Sequence, residues 1–457
     1  MSLVLKGGRI VNDKITYFSD IKVEDGKIVE IGENLNTENC EVVDVKGSYI
    51  IPGGIDTHTH FDLDTGATIT ADDFATGTKA AIAGGTTTIL DFATQSKGKS
   101  LKEGLEEWHQ KAKDKAFCDY GFHMAITDWS DSVCDEMDEM VELGVSSFKL
   151  YMAYKGSLQV DDSVIYKALE KSKSIGGIIG FHCENGDLVC ELIDKLLKEN
   201  KTSPQYHCES RPPILELEAT SRLMKIAEVT KAKVCVVHLS CKESLEEVLK
   251  ARQRGVDVVV ETCPQYLLLD EDKYKLEGFE GAKYVMSPPL RNVENNSILW
   301  KALQENQIDT IGTDHCSFNY KGQKELGIND FSKIPNGSPG VEHRIGLLYT
   351  YGVSTNKISI NKMVEVLSTN PAKIYGLYPQ KGTIEVGSDA DLVVLNPNKT
   401  KVIKASEQVQ NVDYTPYENY RLNCEIDRVY LRGNEVSRNG KIICESPKGK
   451  YLKRSSN

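Results

Sequence analysis

His58 and His60 are separated by one residue in Asp56-Thr57-His58-Thr59-His60. Residues two apart on a strand face the same side, so the two imidazoles can grip one ion, and imidazole suits Zn²⁺ and similar divalent metals. His182, in Gly180-Phe181-His182-Cys183-Glu184-Asn185, and His238, in Val236-Val237-His238-Leu239-Ser240, close two further apolar runs. Asp314, in Gly312-Thr313-Asp314-His315-Cys316, adds a carboxylate to the set. Each alone has an ordinary reading: a histidine of the core or rim, or an Asp that caps the next segment. Four of the nine histidines at such run ends shift the weight towards metal. Lys149, in Ser147-Phe148-Lys149-Leu150-Tyr151, is the misfit. An ammonium cannot ligate a cation, and a lysine there can simply snorkel to solvent. A carbamate formed on its amine by CO2 could ligate, with one oxygen for each of two metals. Chemistry alone leaves both readings open.

The elements that must position these groups are legible in the apolar pattern. Eight strand-like runs occupy the middle of the chain: Ile55–His60, Thr86–Phe92, Asp119–Ile126, Val145–Tyr151, Gly177–His182, Lys233–Leu239, Val256–Thr262 and Ile308–Asp314. Amphipathic segments such as Leu101–Lys113, Ser163–Ser174 and Ser244–Arg254 lie between them. Eight βα units in series predict an α/β fold with a (β/α)8 TIM-like barrel rather than an open doubly wound sheet. Chemistry in such barrels sits at the C-terminal strand ends, and five of the eight runs end in the polar residues named above. Residues 1–51 and 382–445 read instead as short strands joined by turns, with Asp25-Gly26 and Asn439-Gly440 as hairpin signals. Neither end has enough strand to close alone, so the two are expected to pair as a small β-sandwich domain, with the catalytic barrel spanning 52–381. Residues 446–457 form a small, polar, basic tail, expected to be disordered alone or docked on a neighbouring subunit.

The chain has 457 residues, with 55 Lys plus Arg and 67 Asp plus Glu, a net charge of −12. That balance argues against nucleic acid and against an anionic membrane surface as partners. No apolar run approaches the ~20 residues of a membrane span, and the start lacks a signal-peptide pattern. The twelve Cys are scattered without a CxxC pair, which suits reduced thiols and a cytoplasmic location. GxGxxG after a strand, GxxxxGK[ST] and GxSxG are all missing, so nucleotide-cradling and serine-hydrolase readings have no support.

Pro52-Gly53-Gly54-Ile55-Asp56-Thr57-His58-Thr59-His60 resembles the entry motif of the amidohydrolase superfamily. More narrowly, nearly the whole chain resembles the dihydropyrimidinase and D-hydantoinase family of cyclic amidases. Supporting segments include Phe148-Lys149-Leu150-Tyr151-Met152-Ala153-Tyr154, Glu261-Thr262-Cys263-Pro264-Gln265-Tyr266, Ser287-Pro288-Pro289-Leu290-Arg291 and Pro335-Asn336-Gly337. The closing Gly387-Ser388-Asp389-Ala390-Asp391-Leu392-Val393 matches the family's terminal β domain. The resemblance implies two divalent ions per subunit, Zn²⁺ foremost: one held by His58, His60 and Asp314, the other by His182 and His238. Lys149, carbamylated by CO2 to N6-carboxylysine, would bridge them. It further implies ring opening by a hydroxide shared between the metals, with Asp314 moving the proton and Tyr154 contacting the oxyanion. Main-chain groups of Ser287 and Asn336 would hold the substrate, and the enzyme would be a homotetramer without an organic cofactor.

Within the family, relatives acting on dihydroorotate place an arginine shortly after the HxH pair, whereas Phe61-Asp62-Leu63-Asp64 carries two acids and no base. An anionic substrate would be repelled there, which favours neutral dihydropyrimidines or 5-substituted hydantoins over a dihydroorotase- or allantoinase-like activity. Asp64 departs from the apolar or proline residue of many relatives, which bears on the exocyclic substituent. Retention of every ligand position, with Lys149 and Tyr154, weighs against a non-catalytic scaffold relative.

Overall fold

The computed structural model describes residues 2–455. Eight parallel strands follow one another round the barrel: β1 (Gly54–Thr59), β2 (Thr86–Thr94), β3 (Asp119–Ala125), β4 (Ser147–Tyr151), β5 (Ile178–His182), β6 (Val234–Val236), β7 (Val258–Thr262) and β8 (Thr310–Ile311). Each expected run supplies one of them. A parallel bridge between Thr59 and His315, with His60 N donating to His315 O at 2.8 Å, joins the last element to the first. The seam is also held from outside. Fully buried Arg344 donates to Ile55 O on β1 and Ile311 O on β8, at 2.9 and 2.8 Å.

The strands differ from the apolar runs where chemistry intrudes. The run expected to reach Asp314 is strand only over Thr310–Ile311. Beyond it Asp56 accepts from Thr313 N and Oγ1, at 3.1 and 2.7 Å, and Asp314 turns to φ +51°. β6 stops at Val236, because His238 sits at φ +40°. Lys149, read as closing its strand, is instead central in β4.

Helices cover the barrel, and three of them have a start written in the sequence. Asp73 and Ser100 make capping boxes for Phe74–Ala83 and Leu101–Ala112, and the Asp161 side chain caps Asp162–Ser174. Both chain ends build a second, nine-stranded sheet. Its strand Leu392–Asn396 pairs antiparallel with Tyr49–Pro52 and with Glu425–Leu431. Along it Leu392 and Val394 join a core internal to this sheet, while Val393 and Leu395 face the main core. Period two thus makes one strand serve two cores. The expected hairpins are present, with Glu24 opposite Lys27 and Arg438 opposite Lys441.

The tail departs from expectation. Its described part is ordered against its own chain: Tyr120 N donates to Lys450 O at 3.0 Å, Leu452 N to Tyr120 O at 2.7 Å, and Arg454 is buried, bonded to Phe122 O. The barrel floor supplies the apolar surface that the tail lacks in its own sequence. Among the described residues no helix is long and apolar enough to cross a membrane.

Candidate metal centre

β1 brings His58 and His60 onto one face, and both reach the same atom: Asp314 Oδ1 lies 3.1 Å from His58 Nε2 and 3.2 Å from His60 Nε2. Ligating atoms of His58, His238 and Asp314 lie within 4.8 Å of one another. His182, ending β5, joins through His238, with its Nδ1 3.1 Å from His238 Nε2. The five candidate ligands therefore converge. Tyr154, His238 and Asp314 all have positive φ, at +68°, +40° and +51°. Such backbone is costly for residues with a Cβ, and it clusters where side-chain aim matters.

Two carboxylates fix how the imidazoles present themselves. His58 Nδ1 is 2.6 Å from Glu261 Oε1, and Glu261 Oε2 accepts from Thr57 Oγ1 at 2.8 Å. Burial opposes ionisation of Glu261, but the His58 charge and these bonds prevail and lower its pKa. The carboxylate accepts only, so the proton lies on His58 Nδ1 and Nε2 is turned to the site. His182 shows the opposite arrangement. Its Nε2 faces Glu184 Oε2 at 2.8 Å, leaving Nδ1 for the site. Arg211 Nη1 donates to the same Glu184 oxygen at 2.7 Å, and despite burial this holds Glu184 down at about 2.

These buried partners set the charges of the centre. Burial works against a charged His58, yet Asp314 and Glu261 raise it to about 9. Burial dominates at His60, lowered to about 4. Asp314 is driven well below the ordinary range, because the neighbouring imidazoles outweigh its desolvation. Lys149 is 1 % exposed and makes no side-chain hydrogen bond among the described residues. Its Nζ stands 5.0 Å from the Phe92 ring centre, and that ring lies 4.7 and 4.9 Å from the rings of His58 and His60. Burial pulls its pKa down to about 8, against the pull of Asp314 and Glu261.

Tyr154 places its ring 5.0 Å from that of His182. Burial pushes its phenol upward, so it stays a donor at neutral pH. Ser287 and Asn336 come together, with Ser287 Oγ 3.3 Å from Asn336 Oδ1. The two acids after the HxH pair are bonded within their own loop. Asp62 accepts from Phe74 N at 3.1 Å, and exposed Asp64 accepts from Gly66 N at 2.8 Å. Each carboxylate thus also ties the loop's own backbone.

Glu261, Glu184, Arg211 and Phe92 escaped the sequence reading as site residues. His182 and Glu184 do stand two apart, the spacing that singled out His58 and His60, and that signal was available. Glu261 gives none, since a glutamate ending an apolar run has many uses.

The donor set fits divalent cations. His58 Nε2 and His238 Nδ1 are buried without a hydrogen-bond partner, His58 Nε2 making only the ionic contact to Asp314. Buried orphan nitrogens beside a carboxylate are costly unless a ligand satisfies them.

A (β/α)8 barrel with a histidine and carboxylate cluster at its strand ends defines a class of metal-dependent hydrolases. The model of the amidohydrolase family matches residues 49–436, and the chain belongs to that family. D-hydantoinase of Geobacillus stearothermophilus is 45 % identical over 456 residues, covering 100 % of this chain and 97 % of its own. D-hydantoinase of Ralstonia pickettii is 43 % identical and covers 99 % of each chain. The crystal structure of dihydropyrimidinase from Brevibacillus agri superposes with a TM-score of 0.99 at 44 % identity, over 100 % of this chain and 99 % of that one.

Proposed function

We propose that the protein is a metal-dependent cyclic amidohydrolase that opens neutral 5,6-dihydropyrimidines or 5-substituted hydantoins to N-carbamoyl amino acids. The observation that carries this reading is the convergence of His58, His60, His182, His238 and Asp314 at one barrel mouth beside buried Lys149. His58, His60 and Asp314 would hold one ion, Zn²⁺ foremost, and His182 and His238 the other. Such ions, when bound, lower the pKa of a water to ~7 and polarise a carbonyl. The relatives' names, the full-length similarity and the absence of a base in Phe61–Asp64 support the substrate class. The homotetramer implied by the sequence resemblance belongs to the same reading.

Asp314 is the proton carrier. Held ionised, it accepts the proton of the attacking water and passes it to the ring nitrogen as the C–N bond breaks. Tyr154 keeps its hydroxyl proton and donates to the oxygen that becomes negative. Ser287 and Asn336 offer main-chain groups to the rest of the ring. Lys149, carbamylated, would supply an anionic ligand for the ions: its amine adds to the carbon of CO2 and releases one proton. Burial lowers the pKa of that amine and so eases its loss of a proton, and the negative product would suit a site that holds two cations.

The test is a ring-opening assay of the metal-replete protein on dihydrouracil, phenylhydantoin, allantoin and dihydroorotate. Turnover of the first two with formation of the N-carbamoyl acid is the expected result. Turnover confined to allantoin or dihydroorotate would transfer the protein to those activities, and no turnover on any would overturn the reading.

A further inference from the structure

Ser287 is 6 % exposed and Asn336 partly buried, yet the main-chain groups of both make no hydrogen bond among the described residues. Buried backbone is rarely left so unless a ligand or water completes it. The carbonyls on either side are all taken, and by side chains. His207 Nε2 donates to Met286 O at 2.8 Å and Tyr266 Oη to Pro288 O at 2.8 Å. Lys324 takes the remaining three: Val285 O at 2.8 Å, Pro335 O at 2.6 Å and Gly337 O at 2.7 Å.

Lys324 is 0 % exposed and has no carboxylate partner among the described residues. An ammonium has three donors, and here each meets one carbonyl. Two of those carbonyls flank Asn336 and the third stands two residues before Ser287. Gly337 N also donates to Val285 O at 3.0 Å, so the segments already touch at that carbonyl. Gly337 is at φ +146°, and a Cβ there would meet Cys316 O at 2.4 Å. The same loop thus lies against the chain that leaves Asp314, to which it is tied by Cys316 N donating to Ser338 O at 3.2 Å.

We propose that Lys324 is a positioning residue for the substrate: by drawing Val285, Pro335 and Gly337 to one ammonium, it aims the free main-chain groups of Ser287 and Asn336 into the pocket at a fixed distance from Asp314. This rests on the proposed function, which gives those main-chain groups their ligand. Lysine suits the task because its charge holds three acceptors from one point. Methionine matches its length and holds none.

Lys324→Met tests it through three readouts: metal content, steady-state kinetics and hydrogen exchange of the peptides covering 285–288 and 335–338. We expect metal content equal to wild type, KM raised about tenfold or more with a smaller change in kcat, and faster exchange in those two peptides but not across β4. Lys324→Arg, which keeps the charge but not the three-point geometry, should fall between Met and wild type, and it serves if the Met variant does not fold. Unchanged KM with unchanged local exchange would overturn the proposal. So would loss of metal and of protection throughout the barrel, which would make Lys324 a general structural residue. Should wild type open none of the rings, the proposed function fails on that ground, and exchange still decides whether Lys324 holds the two segments.

Discussion

Lys149 is held where its ordinary form is least comfortable. It is buried, without a hydrogen-bond acceptor among the described residues, beside imidazoles, Asp314 and Glu261. In the proposed function, carbamylation would turn this misfit into a ligand. Lys149→Ala should therefore lose most bound metal and nearly all activity, and acetate or propionate should restore part of both by filling the vacated space. Elemental analysis and turnover with and without the acid check this, and a carbamate ¹³C signal after ¹³C-bicarbonate should be present only in the unsubstituted protein. Full metal content in the Ala variant would remove the bridging role. At this scale the residues that converge were legible because histidine is scarce and its spacing is informative. The glutamates that fix the tautomers of His58 and His182 were not, because their role depends on which element lies across the barrel.

At the scale of elements, the runs of β-branched and apolar residues located all eight strands, and the amphipathic segments between them located helices such as Leu101–Ala112 and Asp162–Ser174. Strand ends at the mouth were misjudged where side chains such as Asp56 take over the ladder. The short helix Tyr206–Glu209 carried no periodic signal, yet its His207 supports the segment that presents Ser287. Burial, helped by Arg211, depresses His207 to about 3. A base whose folded pKa lies below its unfolded value of ~6.5 binds fewer protons when folded. Its contribution is complete above pH 6.5 and is lost as pH falls from there towards 3. In that window each such proton costs about 1.4 kcal/mol per pH unit. His207→Gln should flatten the acid loss by up to that slope, as read from denaturant midpoints at matched metal content. An unchanged slope would mean His207 does not stay neutral in the fold.

Over the whole molecule, the barrel and the sheet built from both termini were legible from strand texture and from two hairpin signals. The tail was not, because what orders it belongs to the barrel: Tyr451 sets its ring edge-on to that of His109 with centres 4.5 Å apart, and Arg454 N donates to Gly144 O at 3.0 Å. The architecture serves one arrangement, in which candidate ligands from β1, β5, the turn after β6 and the turn after β8 meet within one barrel mouth. The most direct measurement is the divalent-metal content of active protein prepared without chelator. Close to two ions per chain, with activity lost on chelation and restored on readdition, is the predicted result. Active protein holding no metal would contradict the account.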